Sequence, residues 1–68
     1  MNIKLPYAIG TVLKTVEGDK IQYDRIHHYI VGKDIKVVLE LCYETDSRLS
    51  KAIDIDELLD RWEFYHSH

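Results

Sequence analysis

Cysteine is almost missing from this chain: Cys42 is the only one among 68 residues. A single thiol has no partner within the chain, so disulfides cannot staple the fold, and the composition suits a reducing compartment. No apolar run approaches the ~20 residues that a membrane helix needs. The opening MNIKLPYAIG carries no apolar core of the signal-peptide kind. These absences lead us to expect a cytoplasmic protein with no membrane association. Low-complexity tracts and internal repeats are also lacking. So are Cys-x-x-Cys and His-Glu-x-x-His spacings, and no glycine-rich turn adjoins Cys42. The acids show no calcium loop, which alternates its ligands around a central glycine.

Positive charge is not in excess either. The net charge is -3, divided unevenly. Residues 1–38 carry Lys4, Lys14, Lys20, Arg25, Lys33 and Lys36 against four acids, a balance of +2; residues 39–68 carry three cations against eight acids, a balance of -5. An acidic second half disfavours wholesale binding of a phosphate backbone, which needs clustered positive charge. A small basic face on the first half remains compatible with the pattern.

What the chain does have is apolar content, 46% of its residues, enough for a folded domain. A domain this small buries only about 60% of the surface its unfolded chain exposes, so its stability is a few kcal/mol. Alternation and β-branched content predict strands over about 8–16, 20–31, 35–44 and 49–53. Gly10 suggests a bulge or a close backbone approach, and Gly18 a hairpin with a bulged turn. The stretch YDRIHHYIV is ambiguous. Asp24 could cap a short helix closed by Gly32, but the β-branched and aromatic residues of 26–31 favour a strand. Ile21 and Tyr23 are odd positions and Ile26 and Ile30 even, so one extra residue near Asp24–Arg25 would return both sets to one face.

In DIKVVLELCYET, Ile35, Val37, Leu39, Leu41 and Tyr43 read as core-facing, and Lys36, Val38, Glu40, Cys42 and Glu44 as outward. The spacing then predicts a helix over about 55–66. Asp54 stands at the N-cap, Glu57 completes a capping box, and Ile53 and Leu58 have the spacing of a hydrophobic staple. The stripe Ile55, Leu58, Leu59, Trp62 and Tyr65 or His66 faces inward. The expected fold class is therefore α+β: one domain over 1–68, with three to four antiparallel strands that could curl into an SH3-like barrel and one C-terminal helix packed on the sheet. Its core is Leu13, Ile35, Val37, Leu39, Leu41, Ile53, Leu58, Leu59 and Trp62.

Candidate sites are few. His27 and His28 adjoin, and adjacent residues of a regular strand point to opposite faces, so the pair by itself is not expected to hold a metal. A zinc site would need Cys42, His66, His68 or acids in addition. Cys42 as a nucleophile is disfavoured by Glu40 and Glu44, since carboxylates raise a thiol pKa. Asp54, Asp56, Glu57, Asp60 and Glu63 read as the solvated face of a capped helix, with Glu57 and Arg61 paired at i, i+4. Tyr23 and Tyr29 with nearby lysines could stack on single-stranded nucleic acid. Phe64 falls outside the helix stripe and marks a contact surface.

The leading expectation is a non-enzymatic module that works through protein contacts, a homodimer or another protein partner. Its candidate surface is Val38, Phe64, Tyr29 and Tyr65. The alternatives are a nucleic-acid-associated regulator using the basic first half and a metal-binding protein. No catalytic residue, cofactor or small-molecule substrate is expected.

Overall fold

The computed structural model of the chain describes residues 4–41 and 48–65. The expected positions Cys42, Tyr43, Glu44, His66 and His68 lie outside them. Among the described residues, six strands and one short helix follow in the order β1 (Val12–Glu17), β2 (Lys20–Val31), β3 (Ile35–Leu41), β4 (Arg48–Leu49), β5 (Ile53–Asp54), α1 (Ile55–Arg61) and β6 (Glu63–Phe64). All pairings among the described residues are antiparallel. The sheet runs β4-β3-β2-β1-β6, with β5 also on β3. It is an open sheet with a short C-terminal helix, and the barrel-like closure considered above is not among its pairings.

Local chemistry explains most departures from the expected elements. β1 begins at Val12 rather than residue 8, because Gly10 at φ 94° turns the chain and Thr11 N–H closes that turn onto the Ala8 carbonyl. A Cβ on Gly10 would meet nothing within 4 Å, so conformation and not close approach requires glycine there. The β1–β2 turn itself has no bulge; the bulge expected at Gly10 lies at the far end of the hairpin, where Gly10 N–H donates to the Ile26 carbonyl and Ile26 N–H donates to the Thr11 carbonyl. Glu17 pairs with Lys20, and Gly18 at φ 63° is the one positive-φ residue of the two-residue loop, the arrangement of a II′ turn.

The expected fourth strand is two two-residue strands. Between them Ser50 supplies its side chain: Oγ accepts from Leu39 N–H at 2.9 Å and donates to the Lys51 carbonyl at 2.8 Å. A hydroxyl that bonds nearby backbone in this way competes with the regular ladder.

The helix is shorter than expected, ending at Arg61. Trp62 is already extended, and its N–H returns to the Leu58 carbonyl, while Thr15 Oγ1 donates to the Arg61 carbonyl at 2.8 Å. Freed from the helix, Glu63 and Phe64 pair with Lys14 and Leu13 of β1. At the other end Asp54 occupies the N-cap without a side-chain capping bond. Its carboxylate lies 3.8 Å from Lys36 Nζ instead.

The core is Leu13, Ile26, Val37, Leu39, Ile53 and Leu58, with Tyr7, Tyr29, Ile55 and Trp62 packed against it. The Ile53–Leu58 staple thus forms as spaced. Ile35 and Leu41 are only half-buried. Leu59 is 53% exposed, since a seven-residue helix turns Ile55, Leu58 and the following Trp62 inward and leaves Leu59 out. Val38 is buried, although its neighbours Val37 and Leu39 occupy the core face. It lies opposite His28, on the other side of the sheet.

Candidate functional site

The outer face of the sheet is built by alternation. In β1, Leu13 and Thr15 are buried, which turns Val12, Lys14 and Val16 outward; in β2, Asp24 and Ile26 are buried, which turns Ile21, Tyr23 and Arg25 outward. The register sets Val16 opposite Ile21 and Lys14 opposite Tyr23. Tyr65 joins them, because its N–H bonds the Val12 carbonyl and its ring meets that of Tyr23 edge-on at 4.9 Å. Val16, Ile21, Tyr23 and Tyr65 thus form a contiguous apolar strip, each at least 37% exposed, alongside the Lys14–Glu63 ion pair at 3.2 Å.

Of the residues expected at an interaction surface, Tyr65 lies in this strip. Phe64 is exposed but points to the opposite side, paired with Leu13 and stacked on Tyr7 with ring centroids 6.4 Å apart. Val38 is buried and is withdrawn from that surface. Tyr29 is half-buried against the core, and its hydroxyl donates to the Tyr7 carbonyl at 2.7 Å; burial holds this phenol above its ordinary pKa. Ile21 and Val16 were not anticipated there. Their signal was Asp24: once that residue points inward, every odd position of the strand before it points out.

The inward Asp24 is fully buried, and no cation among the described residues forms an ion pair with it. Its Oδ2 accepts from Trp62 Nε1 at 2.9 Å, and the Gln22 amide Nε2 donates to both carboxylate oxygens at 3.1 Å. No buried side-chain polar atom among the described residues lacks a partner.

The bulge in β2 falls two residues later than expected, between Ile26 and His28. Ile26 and Tyr29 therefore both pack against the core although they are three residues apart. His27 and His28 lie between them and together on the outer face. They do not face opposite sides: their ring centroids are 5.0 Å apart and their Nδ1 atoms 2.7 Å apart.

Three of the six cations of the first half pair with carboxylates of the second. Lys14 lies against Glu63, Arg25 against Glu40 at 3.7 Å, and Lys36 against Asp54. Glu57 and Arg61 form the expected i, i+4 pair at 3.4 Å. A groove of about 510 Å³ beside β1 is lined by Thr15, Val16, Leu59, Arg61 and Trp62 among others, with the Arg61 guanidinium 5.7 Å from the Trp62 ring centre. No helix of the described residues is long and apolar enough to cross a membrane. The chain matches no protein-family model, no curated protein and no solved structure.

Proposed function

We propose that this chain is a non-enzymatic binding module that associates with another protein chain, in the first instance a second copy of itself, through the outer face of its sheet. The observation that carries the reading is the strip Val16, Ile21, Tyr23 and Tyr65, which is apolar, contiguous and left open to solvent. Tyrosine suits such a role because its ring supplies buried area while its hydroxyl tolerates water. Removing the strip from water would contribute roughly 25 cal/mol per Å² before the costs of association. A second copy is the simplest occupant, because two-fold homodimers are the commonest oligomers.

The edges support the same reading. β6 pairs with β1 at Leu13 and Lys14, and Val16, further along β1, belongs to the strip and also lines the groove. A cytoplasmic setting fits the lone cysteine. Nucleic-acid binding is the weaker alternative, since Lys14, Arg25 and Lys36 each have a carboxylate beside them.

Sedimentation equilibrium of the wild type and of Ile21→Glu tests the proposal. A dimer that Ile21→Glu converts to folded monomer is the expected result. A wild type that stays monomeric at high micromolar concentration removes the homodimer. Oligonucleotide binding with a steep salt dependence would favour the alternative.

A further inference from the structure

His27 and His28 are adjacent in sequence, and in a regular strand they would point apart. The bulge removes that obstacle. Two residues of β2 stand opposite one position of β3, with Val38 paired to His28 and Leu39 to Ile26. Both imidazoles then lie on the outer face between the inward Ile26 and Tyr29, continuing the side of the sheet that carries Ile21, Tyr23 and Arg25. Their rings meet at 75°, and the two Nδ1 atoms aim at each other across 2.7 Å.

We propose that this pair is a bidentate site for a divalent transition cation, copper(II) before zinc. The separation decides it. Two imidazole nitrogens that bind one ion at about 2.0–2.1 Å stand about 2.9–3.4 Å apart, across angles from octahedral to tetrahedral. To admit the ion the rings part by a few tenths of an ångström, and each turns so that its Nδ1 lone pair leaves the line of the hydrogen bond and points at the ion beside it. Imidazole nitrogens suit copper, zinc and nickel, and copper(II) binds most tightly in the divalent series.

The proton balance is simple. Without an ion, one Nδ1–H donates to the lone pair of the other Nδ1. With an ion, both Nδ1 atoms present lone pairs and each ring carries its proton on Nε2, so the hydrogen-bonding proton moves from Nδ1 to Nε2 of its own ring. Water completes the coordination, since no group of three metal-ligating side chains occurs among the described residues. The nearest charges on β3 do not oppose a cation: Glu40 faces Arg25, and Lys36 faces Asp54.

The experiment removes the competing histidines first. A His66→Ala/His68→Ala chain is titrated with zinc while ¹⁵N imidazole shifts are recorded, and with copper(II) by calorimetry. One ion per chain is expected, with the zinc-induced shifts on Nδ1 of His27 and His28. Adding His27→Ala or His28→Ala should weaken affinity by about tenfold or more. The inference fails if the background chain binds no ion below millimolar concentration. It also fails if the ion shifts Nε2 instead of Nδ1, or if either single substitution changes affinity by less than about twofold. Should a substituted chain not fold, the Nδ1 shifts in the background chain decide alone.

Discussion

Trp62 Nε1 donates to Asp24 Oδ2 at 2.9 Å, joining the residue after the helix to the middle of β2. This bond fixes both ends of the unexpected geometry. It gives a fully buried carboxylate a donor, and it holds the indole over the core after the helix has ended. Trp62→Phe keeps most of the ring and removes the donor, and should cost about 1–3 kcal/mol. Combined with Asp24→Ala, which removes the acceptor, in a double-mutant cycle, the coupling should exceed about 0.5 kcal/mol by urea denaturation. Strictly additive losses would show that the bond contributes nothing.

Leu58 and Leu59 are neighbours with opposite fates. Leu58 is fully buried and Leu59 is more than half exposed. Leu58→Ala should therefore cost about 2–5 kcal/mol, and Leu59→Ala should stay within about 0.5 kcal/mol of the wild type. Thermal melts of the two variants separate them, and equal losses would restore the longer helix that the stripe of apolar residues suggests.

The bulge makes β2 tolerant of one particular deletion. Without His27, the order Ile26, His28, Tyr29 alternates in, out, in, so a regular strand keeps every side chain on its face. The deletion should change stability by no more than about 1–2 kcal/mol. Deleting Tyr23 instead would move the preceding part of the strand to the wrong face and should abolish cooperative folding. Amide dispersion in NMR spectra of the two deletions checks the contrast.

Tyr29 gives an alkaline signature. Burial raises its phenol above the usual 10.0, so near and above that pH the unfolded chain loses this proton before the folded chain does. The stability linked to Tyr29 is complete below pH 10 and is lost as the pH rises through the folded value. Tyr29→Phe has no such proton. Its melting temperature should fall less between pH 9 and 11 than that of the wild type, by calorimetry, and parallel curves would contradict the assignment.

Much of this fold is legible in the sequence because one period dominates locally. Val37 and Leu39 alternate without interruption, and Ile53, Asp54 and Leu58 announce the helix start at the right residues. The strand reading of 20–31 also stands. The misreadings of β2 share one cause, which is that a pattern of apolar residues does not show where a polar residue turns inward. Asp24 is acidic, so apolar phase places Ile21 and Tyr23 inside and the extra residue near Asp24–Arg25. With Asp24 buried against Trp62 and Gln22, the phase reverses and the extra residue is His27. The same blindness affects the candidate surface. Tyr65 and Phe64 are exposed, but Val38 is covered on the face opposite the core, where alternation predicts solvent. Trp62 belongs to the core by its ring and not by helical phase.

The pairing of Leu13 with Phe64 also sets an order in time. β1, β2 and β3 are joined by tight local turns and can zip as they form, whereas β6 reaches β1 only after the rest of the chain has been laid down between them. Closing so long a loop carries an entropic cost that the hairpins escape. A two-residue strand then returns little to offset it. The outer seam of the sheet is thus the last to close and the first to open, and its amides should exchange with solvent well before those of β2 and β3.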